Sequence, residues 1–401
     1  MTISDIKIHM KTELDHKNQK HLRVYDRLFQ GILRGDYKPG KRLPSTSELA
    51  EKYSVSRPTI TKAIRILEKK GLVDRRVGAG SVVRMPNPAK DMKMGLLMTR
   101  LHVTPLDFGE FVSLGSTVIS QISLSASAHN YVLLMNELPF GNEKELISHA
   151  WQICRNLIEL QVKGVFFMPL EVSDQHFDIN RRIAEALDEA GITVTLIDRD
   201  VYSPPRRSKF DIVSVNNELA AFEITSHLIA TGCRRINFVA GKHPVSSVMD
   251  RIQGYEQALR YHGLTPEAER VRRFEILPFM ETSEKTERAA VQHLLEETDA
   301  ETMVCVNDRT AAIVMKYATE NGVRIPDDLR IVGFDDEAFC AYLPISLTTM
   351  RQPARAIGAE AVRVMLSRME TPDMPARTIV LSAELVVRDS CGSRNALTSP
   401  A

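Results

Sequence analysis

From Met94 to Cys391, short apolar runs of β-forming residues alternate with stretches of helical periodicity, and this alternation leaves few possible architectures. The β-type runs are Met94–Met98, Tyr131–Met135, Val165–Met168, Val194–Ile197, Ile212–Val215, Ile236–Ala240, Thr302–Val306 and Arg330–Gly333. Helical patterns lie between them, for example Glu218–Ala230, Ile252–Tyr261 and Thr310–Glu320. A parallel strand pair needs a crossover connection, so this order predicts parallel sheets flanked by helices. The length of the segment predicts two such lobes with a cleft between them. Ligands of open parallel sheets bind beyond the carboxyl ends of the strands.

The residues before this segment are of another kind. Residues 19–86 hold sixteen Lys and Arg against six Asp and Glu, whereas residues 87–401 hold thirty-three against forty-two. A compact basic unit beside an acidic body points to a polyanion as the partner of the basic part alone. Charge does not separate DNA from RNA or a membrane surface, so the residue pattern has to decide.

That pattern predicts three short helices and a hairpin. Leu22, Tyr25, Leu28, Phe29 and Ile32 recur at helical spacing over Lys20–Arg34, and Asp36–Gly40 reads as a turn. Ser45 followed by Glu48 is a capping box, opening a second helix that ends near Tyr53. Ser56 caps a third, in which Pro58 fits the first turn. Ile60, Ala63, Ile64 and Leu67 form its buried stripe, and Arg57, Thr61, Lys62 and Arg65 fall on the opposite side. Leu72–Val77 and Gly78–Val83 then read as a glycine-turned hairpin able to meet backbone phosphates. A basic amphipathic helix alone is usually a solvated surface; three helices with a basic third and a hairpin point to DNA.

This stretch closely resembles the GntR-family winged helix-turn-helix. The matching residues are Leu43-Pro44-Ser45, Glu48-Leu49-Ala50, Val55-Ser56-Arg57, Ala63-Ile64, Leu67, Gly71-Leu72-Val73 and Gly78-x-Gly80. The resemblance implies that Ser56, Arg57 and Thr59 touch DNA at the start of the recognition helix and Gly78 at the wing. Ser47 and Thr61 depart from the family pattern, each standing where an arginine is common, so base preference does not carry over. Lys62 and Arg65 are the compensating candidates.

In the large domain, polar residues cluster at predicted strand ends: Asp198-Arg199, Asn307-Asp308 and Asp335-Asp336, with Arg251 at a helix start. Each has a structural reading as well. Asp308 suits the cap of the helix opening at Thr310, Asp336 could cap a turn, and Arg251 could be a surface ion pair. Phe279 could stack on the apolar face of a sugar or sit in the core. Convergence of carboxylate, amide and guanidinium groups favours a ring of hydroxyls as the ligand.

Met94 to Cys391 resembles the LacI/GalR effector domain, which has a periplasmic-binding-protein-like fold. The strongest matches are Val304–Asp308, Gly322–Asp328, Val332–Asp336 and Leu347–Pro353. The resemblance implies ligand contacts from Asp198, Arg251, Asn307, Asp335 and Gln352, with Phe279 at an aromatic position of sugar-binding members. The segment Thr99–Phe111 aligns poorly. LacI-type proteins carry their own helix-turn-helix and a hinge helix; here a GntR module and a proline linker replace both. That combination resembles regulators of the arabinose-repressor type.

The expected organisation is a tail at 1–18, a winged helix-turn-helix at 19–86, a linker at 87–92, a two-lobed effector and dimerisation domain at 93–392, and a tail at 393–401. The expected partners are operator DNA, a monosaccharide or sugar-phosphate effector and a second copy of the chain. No cofactor, metal or membrane is expected. The five cysteines are scattered without metal-ligand spacing, and no signal peptide or membrane-length apolar run is present, so a reduced, cytoplasmic protein is expected. An enzyme is disfavoured by the lack of a nucleophilic triad, P-loop, dinucleotide fingerprint or HExxH spacing. The basic module argues against a free nutrient-binding protein, and the polar strand ends argue against a large domain that only dimerises.

Overall fold

The computed structural model describes residues 20–33, 36–38, 40–69, 72–76, 80–83, 92–99, 113–138, 143–171, 178–202, 205–241, 245–274 and 284–393. The expected tail at 1–18 lies outside these, as do Gly78, Phe279, most of Thr99–Phe111 and, apart from Ser393, the tail at 393–401. The chain divides into two compact units, Met1–Lys90 and Asp91–Ala401.

The first unit contains α1 (Lys20–Leu33), α2 (Thr46–Lys52), α3 (Arg57–Lys69) and a hairpin of β1 (Val73–Arg76) and β2 (Gly80–Val83). Leu28, Phe29, Ile32, Leu49, Ile60, Ile64 and Leu67 are buried, so the predicted apolar stripes of the three helices form one core. The capping box is formed: Glu48 N donates to Ser45 Oγ at 3.2 Å and Ser45 N to Glu48 Oε2 at 2.6 Å. The strands pair antiparallel from Val73↔Val83 to Arg76↔Gly80. The chain before α2 joins them through an Arg42↔Val82 bridge, so Leu43 N reaches Ser81 O at 2.8 Å.

The second unit is built on two six-stranded sheets. In the first, β3 (Lys93–Thr99), β4 (Val132–Leu138), β5 (Gly164–Phe167), β6 (Thr193–Ile197), β7 (Asp211–Val215) and β13 (Thr378–Leu381) lie in the order 13-7-6-5-3-4, every pair parallel. Helices α4 (Leu114–Ala128), α5 (Glu143–Glu159) and α6 (Asp178–Glu189) fill its crossovers. Phe166 and Phe167 of β5 point to opposite faces, one into each apolar layer, which is why this strand reads as an unbroken apolar run.

The second sheet holds β8 (Ile236–Gly241), β9 (Val271–Phe274), β10 (Thr302–Cys305), β11 (Arg330–Asp335), β12 (Thr348–Arg351) and β14 (Glu384–Val386), in the order 14-12-11-10-8-9. Its helices are α7 (Asn217–Ala230), α8 (Ser246–Tyr261), α9 (Glu284–Glu296) and α10 (Asp308–Glu320). A final helix, α11 (Ala354–Glu370), returns to the first lobe and buries Ile357, Ala361 and Met365 there.

The chain therefore passes between the lobes three times: from β7 into α7, from β12 into α11, and from β13 into β14. The last crossing uses only Ser382 and Ala383, and β14 consequently enters its sheet antiparallel to β12. That pair departs from the expected parallel pattern because the strand arrives from the other lobe without a helical crossover.

Candidate functional site

The DNA-facing candidates of the first unit lie along α3. Arg57, Lys62 and Arg65 are exposed, while Ile60, Ala63, Ile64 and Leu67 behind them are buried. Among the described residues none of the three cations has a carboxylate partner, so their charge is available to a polyanion. Ser56 precedes the helix as expected, but its hydroxyl pairs with that of Thr59 at 2.9 Å. Thr61 turns its hydroxyl back onto Arg57 O at 3.0 Å, a bond that leaves its oxygen able to accept but uses its proton. Gly78 lies outside the described residues.

In the second unit the cleft candidates meet at the carboxyl ends of strands from both sheets. Asp198 follows β6 and Asp335 ends β11, and both have left-handed backbones, with φ of 74° and 121°. A β-carbon is strained there, and such strain persists where the surroundings fix the chain, commonly at binding sites. Gln352 follows β12 at the second crossing and donates from Nε2 to Asp335 Oδ1 at 2.7 Å.

Arg251, in the second turn of α8, is 7% exposed, which rules out the surface ion pair. Its Nε donates to Asn217 Oδ1 at 2.8 Å and its Nη1 to Val306 O at 2.6 Å. Its guanidinium carbon stacks 3.6 Å from the centroid of the Phe334 ring. The head is thus locked in place, and its charge acts on Asp335 and Glu171.

Two readings of the strand ends need correction. Asn307, not Asp308, caps α10: its Oδ1 accepts from Thr310 N at 2.8 Å. That bond occupies the oxygen of Asn307 and leaves its amide hydrogens for other partners. Asp308 is fully buried and turns the other way, accepting from Thr349 Oγ1 at 2.6 Å and Glu337 N at 2.8 Å. A side chain on Gly333 would stand 2.2 Å from Asp308 Oδ1, so glycine there admits the carboxyl. Asp336 caps no turn; it is an ion-pair partner of Arg351 and Arg388.

Three groups not singled out in the sequence complete the cluster. Glu171, beyond β5, pairs with Arg199 at 3.5 Å, and Arg199 also holds Asp198 and Pro169 O. Ser247 of α8 donates to Asp198 Oδ2 at 3.1 Å, and Leu114 N at the start of α4 donates to both oxygens of Glu337 at 3.1 and 3.2 Å. These last bonds join the two lobes. The strand-end rule that found Asp198 extends to Glu171; nothing local marks Ser247 or Glu337.

Burial sets the titration of these carboxyls. It pushes Glu337 up to about 7, with the charge of Asp335 acting in the same direction. Glu171 and Asp335 are pushed up to about 6, against the pull of Arg199 on the first and Arg251 on the second. Asp308 lies well above the usual range through burial and the nearby Asp335. In the folded state such a group holds its proton more tightly than in the unfolded chain. Its penalty is therefore absent below the ordinary carboxyl range and complete above the raised value. The second unit is expected to melt at lower temperature as pH rises from 5 to 8, and Glu337→Gln should flatten that slope. Equal slopes for the two proteins in differential scanning calorimetry would show that Glu337 is already ionised near pH 5.

Among the described residues no group of three His, Cys, Asp or Glu could hold a metal ion, and no helix is long and apolar enough to cross a membrane.

A winged helix-turn-helix with exposed cations, and a two-lobed domain whose polar side chains converge between parallel sheets, together define a DNA-binding regulator controlled by a small molecule. Residues 20–83 match the bacterial regulatory proteins of the gntR family, and residues 225–391 match the periplasmic binding protein-like domain. The chain is a transcriptional regulator that joins a gntR-family DNA-binding domain to a domain of that second type. It is 24% identical over 378 residues to the arabinose metabolism transcriptional repressor of Geobacillus stearothermophilus, covering 92% of this chain and 97% of the relative. It is 27% identical over 349 residues to the transcriptional repressor CytR of Escherichia coli strain K12, covering 86% and 95%. Among solved structures, the regulator CelR in complex with cellobiose superposes with a TM-score of 0.62 at 20% identity, covering 87% of this chain and all of the other. A LacI-family regulator from Enterococcus faecium with bound ribose gives 0.57 at 20% identity, covering 74% and 98%.

Proposed function

We propose that the chain is a homodimeric repressor of carbohydrate-utilisation genes whose operator affinity is switched by a sugar bound between the lobes. The observation that carries this reading is the convergence of Asp198, Arg251, Asp335 and Gln352 from both lobes on one cleft. Carboxylates accept, and arginine and amide nitrogens donate, which is the mixture that a ring of hydroxyls satisfies. The named ligands of similar proteins, cellobiose and ribose, and the arabinose repressor support the same class. Asn307 contributes its amide hydrogens, and Phe279 is the proposed stacking surface.

Ligand binding favours one arrangement of the lobes, and the three crossings are where the backbone yields. Gln352 sits on one crossing and Asn217, which holds Arg251, sits directly after another, so the ligand site and the pivot share residues. A coupling of about 1–3 kcal/mol is ordinary for such a switch. Two copies place two winged helices on the half-sites of a near-palindromic operator. Ser56, Arg57, Thr59, Thr61, Lys62, Arg65 and Gly78 are the proposed DNA contacts.

Selection of the operator from random DNA, followed by fluorescence anisotropy with and without a sugar panel, tests the reading. One sugar is expected to change operator affinity at least fivefold. Sugar binding with no change in DNA affinity would remove the switch. Arg57→Ala is expected to weaken operator binding about 5–150-fold, from about 1–3 kcal/mol of lost base contact, and to leave stabilisation by the sugar intact. Loss of both activities together would mean that Arg57 supports the fold.

A further inference from the structure

We infer that the cleft takes an uncharged, hydroxyl-rich sugar and rejects its phosphate ester, because the cleft carries surplus carboxyl groups and its arginines are committed within the protein. This inference rests on the sugar-effector reading above and narrows it. Glu171, Asp198, Asp250, Asp335 and Glu337 are all only partly exposed and lie within electrostatic reach of one another through Asp198 and Asp335. Among the described residues two guanidiniums face them. Arg199 is taken by Asp198, Glu171 and Pro169 O, and Arg251 by Asn217, Val306 O and the Phe334 ring.

The neighbouring arginines do not close the gap. Arg351 and Arg388 are both paired with Asp336, and Arg309 faces Glu287 at 3.9 Å.

A carboxylate has no proton to give, so it accepts from a sugar hydroxyl in a charge-assisted bond. A phosphate at neutral pH also lacks the protons to satisfy several carboxylates. It would meet them acceptor to acceptor, in surroundings that screen charge far less than water does. Of the guanidinium nitrogens of Arg251 only Nη2 has no partner among the described residues, and one nitrogen does not offset a dianion among five carboxyls. The hydroxyl form of the same sugar meets no such conflict.

The test is calorimetric titration of the full-length protein at pH 7.5 with arabinose, ribose, glucose, galactose and cellobiose, and with the phosphate ester of each. The expected result is that a sugar binds and its ester binds at least tenfold more weakly. In Asp250→Asn, with one fewer negative charge, the deficit of the ester should shrink severalfold. An ester that binds as tightly as its sugar would overturn the charge selection while leaving the sugar-effector reading in place. A deficit unchanged in Asp250→Asn would also overturn it, since rejection would then come from lack of space. If no sugar and no ester binds, the sugar-effector reading falls and takes this inference with it.

Discussion

Arg251→Ala is expected to destabilise the second unit by about 3–5 kcal/mol and to abolish the proposed response to sugar. The head of Arg251 is buried, makes two hydrogen bonds shorter than 3 Å and lies on the Phe334 ring. Truncation leaves Asn217 Oδ1 and Val306 O without their donor, and it removes the cation that offsets Asp335 and adds to Arg199 in offsetting Glu171. Urea unfolding of the full-length protein checks the stability arm, and calorimetric titration with the sugar checks the binding arm. Arg251→Lys separates the two effects. It restores a charge but not the fork, so part of the stability should return without the affinity. If Arg251→Ala kept both stability and sugar affinity, the cleft would have to be built on other residues.

Asp211→Asn should have an effect of similar size, about 3–5 kcal/mol, in the first lobe and with no direct part in ligand binding. The Asp211 side chain is fully buried at the start of β7. Arg368 of α11 reaches its two oxygens at 2.9 and 3.1 Å, and Arg377 reaches it with its backbone N–H at 2.7 Å and with Nη2 at 3.0 Å. Burial alone would push this carboxyl up, but the hydrogen bonds from both arginines outweigh it and hold Asp211 below its usual range. The stabilisation is therefore present above the ordinary carboxyl pKa and is lost as pH falls below it. Asparagine would turn an amide donor towards guanidinium donors and leave their charge without a partner. A loss under about 1 kcal/mol in urea unfolding would mean that water screens the network like a surface ion pair.

These two residues show how unevenly function and fold could be read in advance. The strand-end pairs at 198, 307 and 335 stood out because polar groups follow directly on apolar β-runs, and Arg251 because it lies at a helix start in a stretch that resembles a known effector domain. Local pattern puts the cap of α10 at Asp308, one residue late. Asn307 and Asp308 have the same local propensity for a cap, and only the burial of Asp308 against Thr349 and Glu337 N decides between them. Strands β9 and β12 carry charged or hydroxyl residues in place of an apolar run, and only two residues separate β13 from β14, so none of the four stands out by periodicity. Asp211 is an ordinary acidic residue before an apolar run until residues more than 150 positions away surround it.

Features that depend on near neighbours along the chain were legible before any packing was known. Apolar spacing fixed the three helices of the first unit, Ser45 and Glu48 fixed the start of α2, and the stripe of α3 turned Arg57, Lys62 and Arg65 outward. The alternation after Met94 fixed parallel sheets with helices between them. Long-range packing sets which strands stand side by side and where the chain changes lobes. It also brought Glu171, Asp198, Arg251, Asp335 and Glu337 together. Those residues are far apart along the chain, and their meeting depends on strand order and on three crossings. Periodicity carries no information about either, because it reports which face of an element is buried and not what lies against it.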